Sequence, residues 1–219
     1  MKIEESGIKV EDLQINNPDE TDAWAINEFN NTVSVKSRHL EIYRLNDAAK
    51  IIYDFFWHTY CDWYIEIAKD NFTAARAKVA VYLLINSMKL LHPFMPFITE
   101  EVLAIISAHC GLKLEDSLVR AAWPKMHPLK INAESLENFC ALLESIKELR
   151  NIKADLGIAQ KKVKLEIQAS SYVGNLWTAH QAWIKRLGFF ESIELKKQLK
   201  RVLYKNDLWE INLDIADID

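Results

Sequence analysis

Apolar residues recur at steps of three and four along most of the first 156 residues. Burial of one face of an α-helix produces this period, so the pattern predicts a series of amphipathic helices. Pro96 suits the first turn of a helix, whereas Pro93 ends the helix before it. The predicted helices cover residues 23–43, 47–69, a span from a cap at Asn71 or Thr73 to residue 91, 96–110 and 133–156.

The predicted helix over residues 47–69, with Asn46 as its cap, is apolar over most of its surface. With an α-helical period, Phe56 and Trp63 fall in its main apolar row, so we expect both in the core. Its one polar row contains Asp54, His58, Asp62 and Glu66. A helix that meets water along such a narrow row is typical of the centre of a bundle.

The period changes from about 3.6 to 2 after Gly157, a residue suited to the end of the preceding helix. Val163, Leu165 and Ile167 alternate with polar residues, which predicts a half-buried strand over 162–168. A short helix over 173–186, a weaker strand over 199–204 and a last strand over 209–215 follow. The last third of the chain is therefore predicted to be a small α/β unit.

These elements together predict a mainly α fold, a helical bundle followed by a small α/β unit. The predicted organisation is a polar N-terminal arm over residues 1–21, the bundle over 22–130 and the α/β unit over 131–219. Residues 111–128 show no long periodic element and are predicted to form a structured crossover.

Composition and charge exclude several classes of function. Gly and Pro number only 5 each among 219 residues, which leaves little material for Gly-rich phosphate loops or flexible linkers. The net charge of −4 argues against a binder driven by bulk charge, and we expect no DNA partner. The stretch from Glu144 to Lys205, however, contains 13 Lys and Arg against 6 Asp and Glu. Any RNA contact is therefore expected to be local and to involve the C-terminal third.

The three cysteines are far apart and lack metal-binding spacing, and no signal peptide precedes them. We therefore expect buried thiols in a reducing, cytoplasmic compartment. No uncharged apolar run approaches the roughly 18 residues that a membrane-spanning helix needs, so no membrane partner is predicted.

Catalytic motifs are absent from the sequence: no nucleotide-binding, nucleophile-elbow or zinc-protease signature occurs. The polar row of Asp54, His58, Asp62 and Glu66 has the spacing at which side chains of one helix could share a cation. The alternative, which we favour, is a solvated stripe on an apolar helix. No catalytic residue and no bound metal are therefore predicted.

Several motifs resemble the anticodon-binding region of the valyl-tRNA synthetases, a branch of the class I aminoacyl-tRNA synthetases. They are RLNDAA at 44–49, YDFFW at 53–57, CDWYIE at 61–66, LLHPFMPFITEE at 90–101 and WP at 123–124. The resemblance spans residues 22–219, although Ala159 and Gln160 stand where the family usually has prolines. The isoleucyl and leucyl branches share the bundle and a weaker His-Pro-Phe junction and remain alternatives, as does a helical protein–protein interaction module.

The resemblance implies that the chain binds tRNA(Val) and works together with the catalytic and editing domains of a parent enzyme. The signatures of the class I active site do not occur here. ATP is therefore expected to serve the parent enzyme, with no cofactor in this chain and no aminoacylation by the chain alone. Because the family also uses a helix before this region and a coiled coil after it, we expect the chain alone to bind tRNA weakly.

The resemblance also places Ile65 against an anticodon base, with a plain core position as the alternative. Cations in the basic C-terminal third are candidates for phosphate contact, with a solvated basic face as the alternative. These candidates are Arg150, Lys153, Lys161, Lys162 and Lys164.

Overall fold

The computed structural model of the protein describes residues 15, 18–110, 117–129, 132–169, 171–199, 202–205 and 209–214. Most of the predicted arm, Gly111 and Ile215 lie outside these residues. The chain divides into two compact units, Met1–Asn132 and Ala133–Asp219. The prediction of a mainly helical fold followed by a small α/β unit is confirmed.

The first unit consists of helices whose ends are marked by local residues. Helix α1 covers Glu20–Glu41, and the Asp19 side chain accepts a hydrogen bond from the Asp22 backbone N–H at its start. Helix α2 covers Leu45–Asp54, and Asn46 lies inside it, so the predicted cap there is wrong. After α2 the backbone continues as a π-helix, Phe55–Ile65, then as α3, Glu66–Ala68, and a 3₁₀ turn, Lys69–Asn71.

The π-helix changes which residues of this segment reach the core. Its backbone hydrogen bonds join residues five apart instead of four, so successive side chains are separated by a smaller angle around the helix axis. Phe55, Tyr60 and Tyr64 are buried, whereas Phe56 and Trp63 are only half-buried. The prediction of Phe56 and Trp63 as core residues is therefore wrong, because it assumed a constant α-helical period.

The remaining helices of this unit agree with the sequence pattern. Helix α4 covers Ala74–Leu91, and the Thr73 hydroxyl caps it by accepting from the Arg76 N–H at 3.2 Å. Helix α5 covers Pro96–Cys110. The described part of the crossover contains a 3₁₀ turn, Leu118–Arg120, followed by extended chain.

The second unit begins with helix α6, Ala133–Asp155. Gly157 follows with φ +70°, its N–H donates to the Ala154 carbonyl, and the Ile158 N–H donates to the Lys153 carbonyl, both at 2.9 Å. These two bonds form a Schellman motif, the termination that glycine favours. The helix end predicted at Gly157 is thus supported by backbone geometry.

Four strands form one sheet in the order β2-β1-β4-β3. Strand β1, Val163–Ala169, pairs in parallel with β2, Phe190–Leu195, and antiparallel with β4, Trp209–Asp214. The short strand β3, Tyr204–Lys205, lies at the edge beside β4. The predicted strand over 162–168 is confirmed, with Val163, Leu165 and Ile167 buried.

Two differences from the prediction concern the connection between the parallel strands. The predicted helix over 173–186 is two helices, α7, Ser171–Ala179, and α8, Gln181–Leu187, which meet at His180. Strand β2 was not predicted, because its two buried apolar side chains, Phe190 and Ile193, do not alternate with period 2. A register shift in its pairing with β1 accompanies this irregular pattern.

Candidate nucleic-acid interface

Ile65 is the last residue of the π-helix and is half-buried. Trp57 and Tyr53 lie further back along the same segment, with 52% and 54% of their surface exposed. Their rings are parallel, with centroids 6.3 Å apart and an angle of 3° between the planes. The segment therefore presents aromatic and apolar surface to solvent, and Ile65 is neither fully exposed nor part of the buried core.

A buried polar network anchors the end of the π-helix next to Ile65. The Tyr64 hydroxyl donates to Asp22 Oδ1 at 2.8 Å, and Arg76 Nε lies 3.4 Å from the same oxygen. Arg76 also bonds to the Asp19 carboxylate and donates to the Asn71 carbonyl at 3.0 Å. These bonds join the starts of α1 and α4 to the π-helix. Sequence reasoning missed the network, because its residues are far apart in the chain.

Burial shifts the pKa values of the acidic groups in this network. It raises the pKa of the Asp22 carboxyl, while the hydrogen bond from Tyr64 acts in the opposite direction. Burial and the nearby Asp22 charge raise the pKa of Tyr64, so its hydroxyl keeps its proton and remains a donor. The network thus holds the backbone at Ile65 without contributing reactive groups.

The polar row of the same helix is a solvated stripe. Asp54, His58 and Asp62 are exposed, and His58 Nδ1 lies 3.4 Å from Asp62 Oδ2. Glu66 pairs with Lys69. Across the described part of the chain, no three His, Cys, Asp or Glu side chains gather as metal ligands. The three cysteines, all within the described residues, are half-buried rather than buried.

In the second unit, Lys161 and Lys162 lie on the exposed turn between α6 and β1. Arg150, near the end of α6, is half-buried, and its Nε donates to the Leu187 carbonyl at 2.7 Å. This bond brings the ends of α6 and α8 together. The structure therefore places these three cations around one end of the second unit.

Lys153 differs from the other candidate cations because it is buried, with 1% of its surface exposed. Its ammonium donates to the carbonyls of Lys161 at 2.8 Å, Gly188 at 3.1 Å and Phe189 at 2.8 Å. Burial, with a smaller contribution from the charge of Arg150, lowers the pKa of Lys153 to about 8. In this structure its donors bind backbone carbonyls, so it is a scaffold residue rather than a surface cation.

Lys164 is exposed on β1, on the face of the sheet that carries mixed charges. On this face Lys196 Nζ lies 2.6 Å from Glu194 and 3.4 Å from Glu166. The pKa of Glu194 is lowered by its hydrogen bond and charge interaction with Lys196, and to a smaller degree by Lys164. Lys164 thus lies close enough to Glu194 for their charges to interact.

A second buried lysine, Lys36 of α1, was missed by sequence reasoning. Its side chain is fully buried, its Nζ donates to the Leu90 carbonyl at the end of α4, and it lies 4.7 Å from the Phe94 ring centroid and 5.6 Å from that of Trp123. Burial lowers its pKa to about 7. Lys36 thus joins α1, the end of α4 and the crossover. Its position inside an amphipathic pattern carries no signal that sequence alone could have used.

The model of the anticodon-binding domain of tRNA ligases matches residues 22–169. The chain belongs to this family. The resemblance based on the aromatic and His-Pro-Phe motifs is thereby confirmed.

Curated valine–tRNA ligases are among the relatives of this chain. That of Fervidobacterium nodosum is 36% identical over 188 residues, covering 84% of this chain and 20% of the relative. That of Petrotoga mobilis is 31% identical over 226 residues, covering 98% and 25%. That of Treponema pallidum is 35% identical over 167 residues, covering 69% and 18%. This chain therefore spans about a fifth to a quarter of the length of these relatives. No helix within the described residues is both long and apolar enough to cross a membrane.

Proposed function

We propose that the chain binds tRNA(Val) at its anticodon end and positions it for aminoacylation by the catalytic domain of a cytoplasmic valine–tRNA ligase. The observation that carries this proposal is the similarity of most of the chain to valine–tRNA ligases, within an anticodon-binding family. In this proposal ATP and valine belong to the catalytic domain, and an editing domain is a further partner in the parent enzyme. The chain itself supplies binding and orientation.

The geometry of the first unit supports contact with unstacked bases. Anticodon bases in a loop can be turned out of their stack and placed on apolar or aromatic protein surfaces. Ile65 and the exposed, parallel rings of Tyr53 and Trp57 offer such a surface along one helix. The buried bonds of Tyr64 keep the backbone beside Ile65 rigid, which lowers the entropic cost of binding.

The second unit supports contact with the RNA backbone. Lys161 and Lys162 are exposed, and Arg150 lies at the same end of the unit. Each phosphate neutralised by such a cation releases counterions, so affinity falls as salt concentration rises. Of the five cations proposed from sequence, Lys153 is set aside because it is buried, and Lys164 is ranked lower because of the carboxylates nearby.

Titration of the full chain with a tRNA(Val) transcript at several salt concentrations tests the proposal. We expect measurable affinity for tRNA(Val), weaker affinity for a tRNA with a different anticodon, and a negative slope of log affinity against log salt. An absence of binding even at low salt would refute the proposal. Equal affinity for both tRNAs would reduce it to nonspecific RNA binding.

Two double variants separate local phosphate contact from overall charge. Lys161→Gln/Lys162→Gln should weaken binding and reduce the salt slope by about one unit for each phosphate that the variant no longer neutralises. Lys196→Gln/Lys197→Gln removes the same charge from another part of the second unit and is the matched control. Equal effects of both double variants would contradict a phosphate-binding role for Lys161 and Lys162.

The purified chain, incubated with ATP, valine and tRNA(Val), should form no valyl-tRNA. Aminoacylation by the chain alone would overturn the assignment of catalysis to another domain.

A further inference from the structure

Phe189 has a backbone conformation that bulky residues rarely adopt. It lies in the turn between α8 and β2 with φ +54°, in the left-handed region, and 40% of its surface is exposed. A bulky residue with positive φ is an outlier, and such strain is concentrated at functional sites. The neighbouring Phe190, in contrast, is 1% exposed. The turn thus buries the Phe190 ring and leaves the Phe189 ring partly exposed, with the Lys153 ammonium 5.8 Å from the Phe189 ring centroid.

Buried bonds hold this turn in place. The ammonium of Lys153 donates to the carbonyls of both Gly188 and Phe189. Gly188 has no space for a side chain, because an added Cβ would overlap the Phe190 ring. The backbone conformation of Phe189 is therefore set by the Lys153 hydrogen bonds and by the packing at Gly188, and not by a preference of the Phe189 side chain.

The same bonds bring the exposed ring close to the candidate phosphate-binding cations. Lys153 also donates to the Lys161 carbonyl, so the turns that carry Lys161 and Phe189 share one ammonium. In the parallel pairing of β1 and β2, Val163 is opposite Phe190, so Lys162 and Phe189 each directly precede a residue of this pair.

The charge around this turn is predominantly positive. Five cations lie on the adjoining turns and helix ends, three of them exposed and two half-buried, against the carboxylates of Glu148, Asp155 and Glu191. These cations are Arg150, Lys161, Lys162, Lys185 and Arg186. Aromatic rings interleaved with basic side chains are the arrangement by which proteins bind single-stranded nucleic acid.

We propose that Phe189 stacks against an unpaired base of bound RNA while the surrounding cations neutralise the adjacent phosphates. This inference rests on the proposed tRNA binding and adds a specific base contact in the second unit. The exposed Tyr53–Trp57 pair is a weaker candidate for a contact that includes phosphates, because Asp54 and Asp62 lie on the same helix and would repel them.

Three variants of the full chain test the stacking contact by tRNA(Val) titration. Phe189→Asn removes the ring and introduces asparagine, a residue that tolerates positive φ. Phe189→Tyr keeps the ring. Tyr43→Asn is the matched control, because Tyr43 is the other exposed aromatic residue with positive φ within the described residues, at the turn between α1 and α2.

We expect Phe189→Asn to lower affinity by about 5- to 150-fold, the effect of removing one base-stacking ring. The salt slope should stay unchanged, because the variant retains every cation that neutralises a phosphate. Phe189→Tyr should retain the wild-type affinity, and Tyr43→Asn should have no effect.

The outcomes distinguish this inference from the function on which it rests. If the wild-type chain binds no RNA, the proposed function fails and the stacking contact fails with it. If the wild type binds but Phe189→Asn binds equally well, only the stacking contact is refuted, and the exposed ring becomes a candidate for protein contact. A loss of affinity that Phe189→Tyr does not restore, or that is accompanied by a smaller salt slope, also overturns the stacking proposal.

Discussion

Replacing Lys36 with methionine should make the protein more stable at neutral pH and should change how its stability depends on pH. Lys36 is fully buried in the first unit, and burial lowers its pKa from 10.5 to about 7. At pH values between about 7 and 10.5, the Lys36 side chain is protonated in the unfolded chain but not in the folded chain. The free energy of unfolding contributed by Lys36 therefore falls as pH decreases from 10.5 towards 7, and levels off below that.

The magnitude follows from the size of the shift. Each pKa unit corresponds to about 1.4 kcal/mol, so the shift from 10.5 to about 7 makes the folded state roughly 5 kcal/mol less favourable at low pH than at high pH. Methionine is similar in length and carries no charge, so Lys36→Met removes this cost. It also removes the hydrogen bond to the Leu90 carbonyl, worth about 0.5–1.5 kcal/mol. We expect a net gain of about 3–4 kcal/mol at pH 6 and a slight loss near pH 10.

Urea unfolding followed by far-ultraviolet circular dichroism at pH values from 6 to 10 measures this effect. The quantity of interest is the difference in unfolding free energy between variant and wild type, because other titrating groups cancel in it. Lys50→Met, on the exposed surface of α2, controls for the introduction of methionine. A difference that does not vary with pH, or that favours the variant more at pH 10 than at pH 6, would refute the reasoning.

Three further variants test backbone strain and buried bonds. Tyr43→Gly should raise the unfolding free energy by about 0.5–1 kcal/mol, because glycine adopts φ +59° without strain but is more flexible when unfolded; a lower melting temperature would contradict this. Gly188→Ala should cost about 1–3 kcal/mol through overlap with the buried Phe190 ring, and a neutral result in thermal unfolding would show that the ring can move. Tyr64→Phe should lower the free energy of unfolding by about 1–3 kcal/mol in urea at pH 7, because the Asp22 carboxylate loses a hydrogen-bond donor. The loss should be smaller in acid, where the Asp22 carboxyl is protonated. An equal loss at pH 4 and pH 7 would exclude this explanation.

The boundaries of several elements were predictable because their signals are local. The Thr73 hydroxyl caps α4, and Gly157 provides the positive φ that ends α6. The buried alternation of Val163, Leu165 and Ile167 identified β1. Each of these signals depends on a few neighbouring residues, so a pattern along the chain was sufficient. The CDWYIE and HPF motifs likewise identified the family without any knowledge of contacts.

The candidate site was less predictable, because sequence gives residue types and not their surroundings. Lys153 and Lys161 are both lysines in a basic stretch, yet the first is buried against three carbonyls and the second is exposed. Phe189 gave no sequence signal, since its exposure depends on a turn held by Lys153 and on the lack of space at Gly188.

The sequence by itself determined the family, the helical content, the change to a small α/β unit and most element boundaries, because capping, turn chemistry and periodicity act over a few residues. Tertiary structure alone decided which face of the Phe55–Ile65 segment is buried, since the π-helix shifts the register that an α-helical period assumes. It also decided which lysines are buried, because burial depends on elements distant in the chain, as the bond from Lys36 to the end of α4 shows. Local sequence thus sets the elements, and the packing between them sets the chemical environment of each side chain.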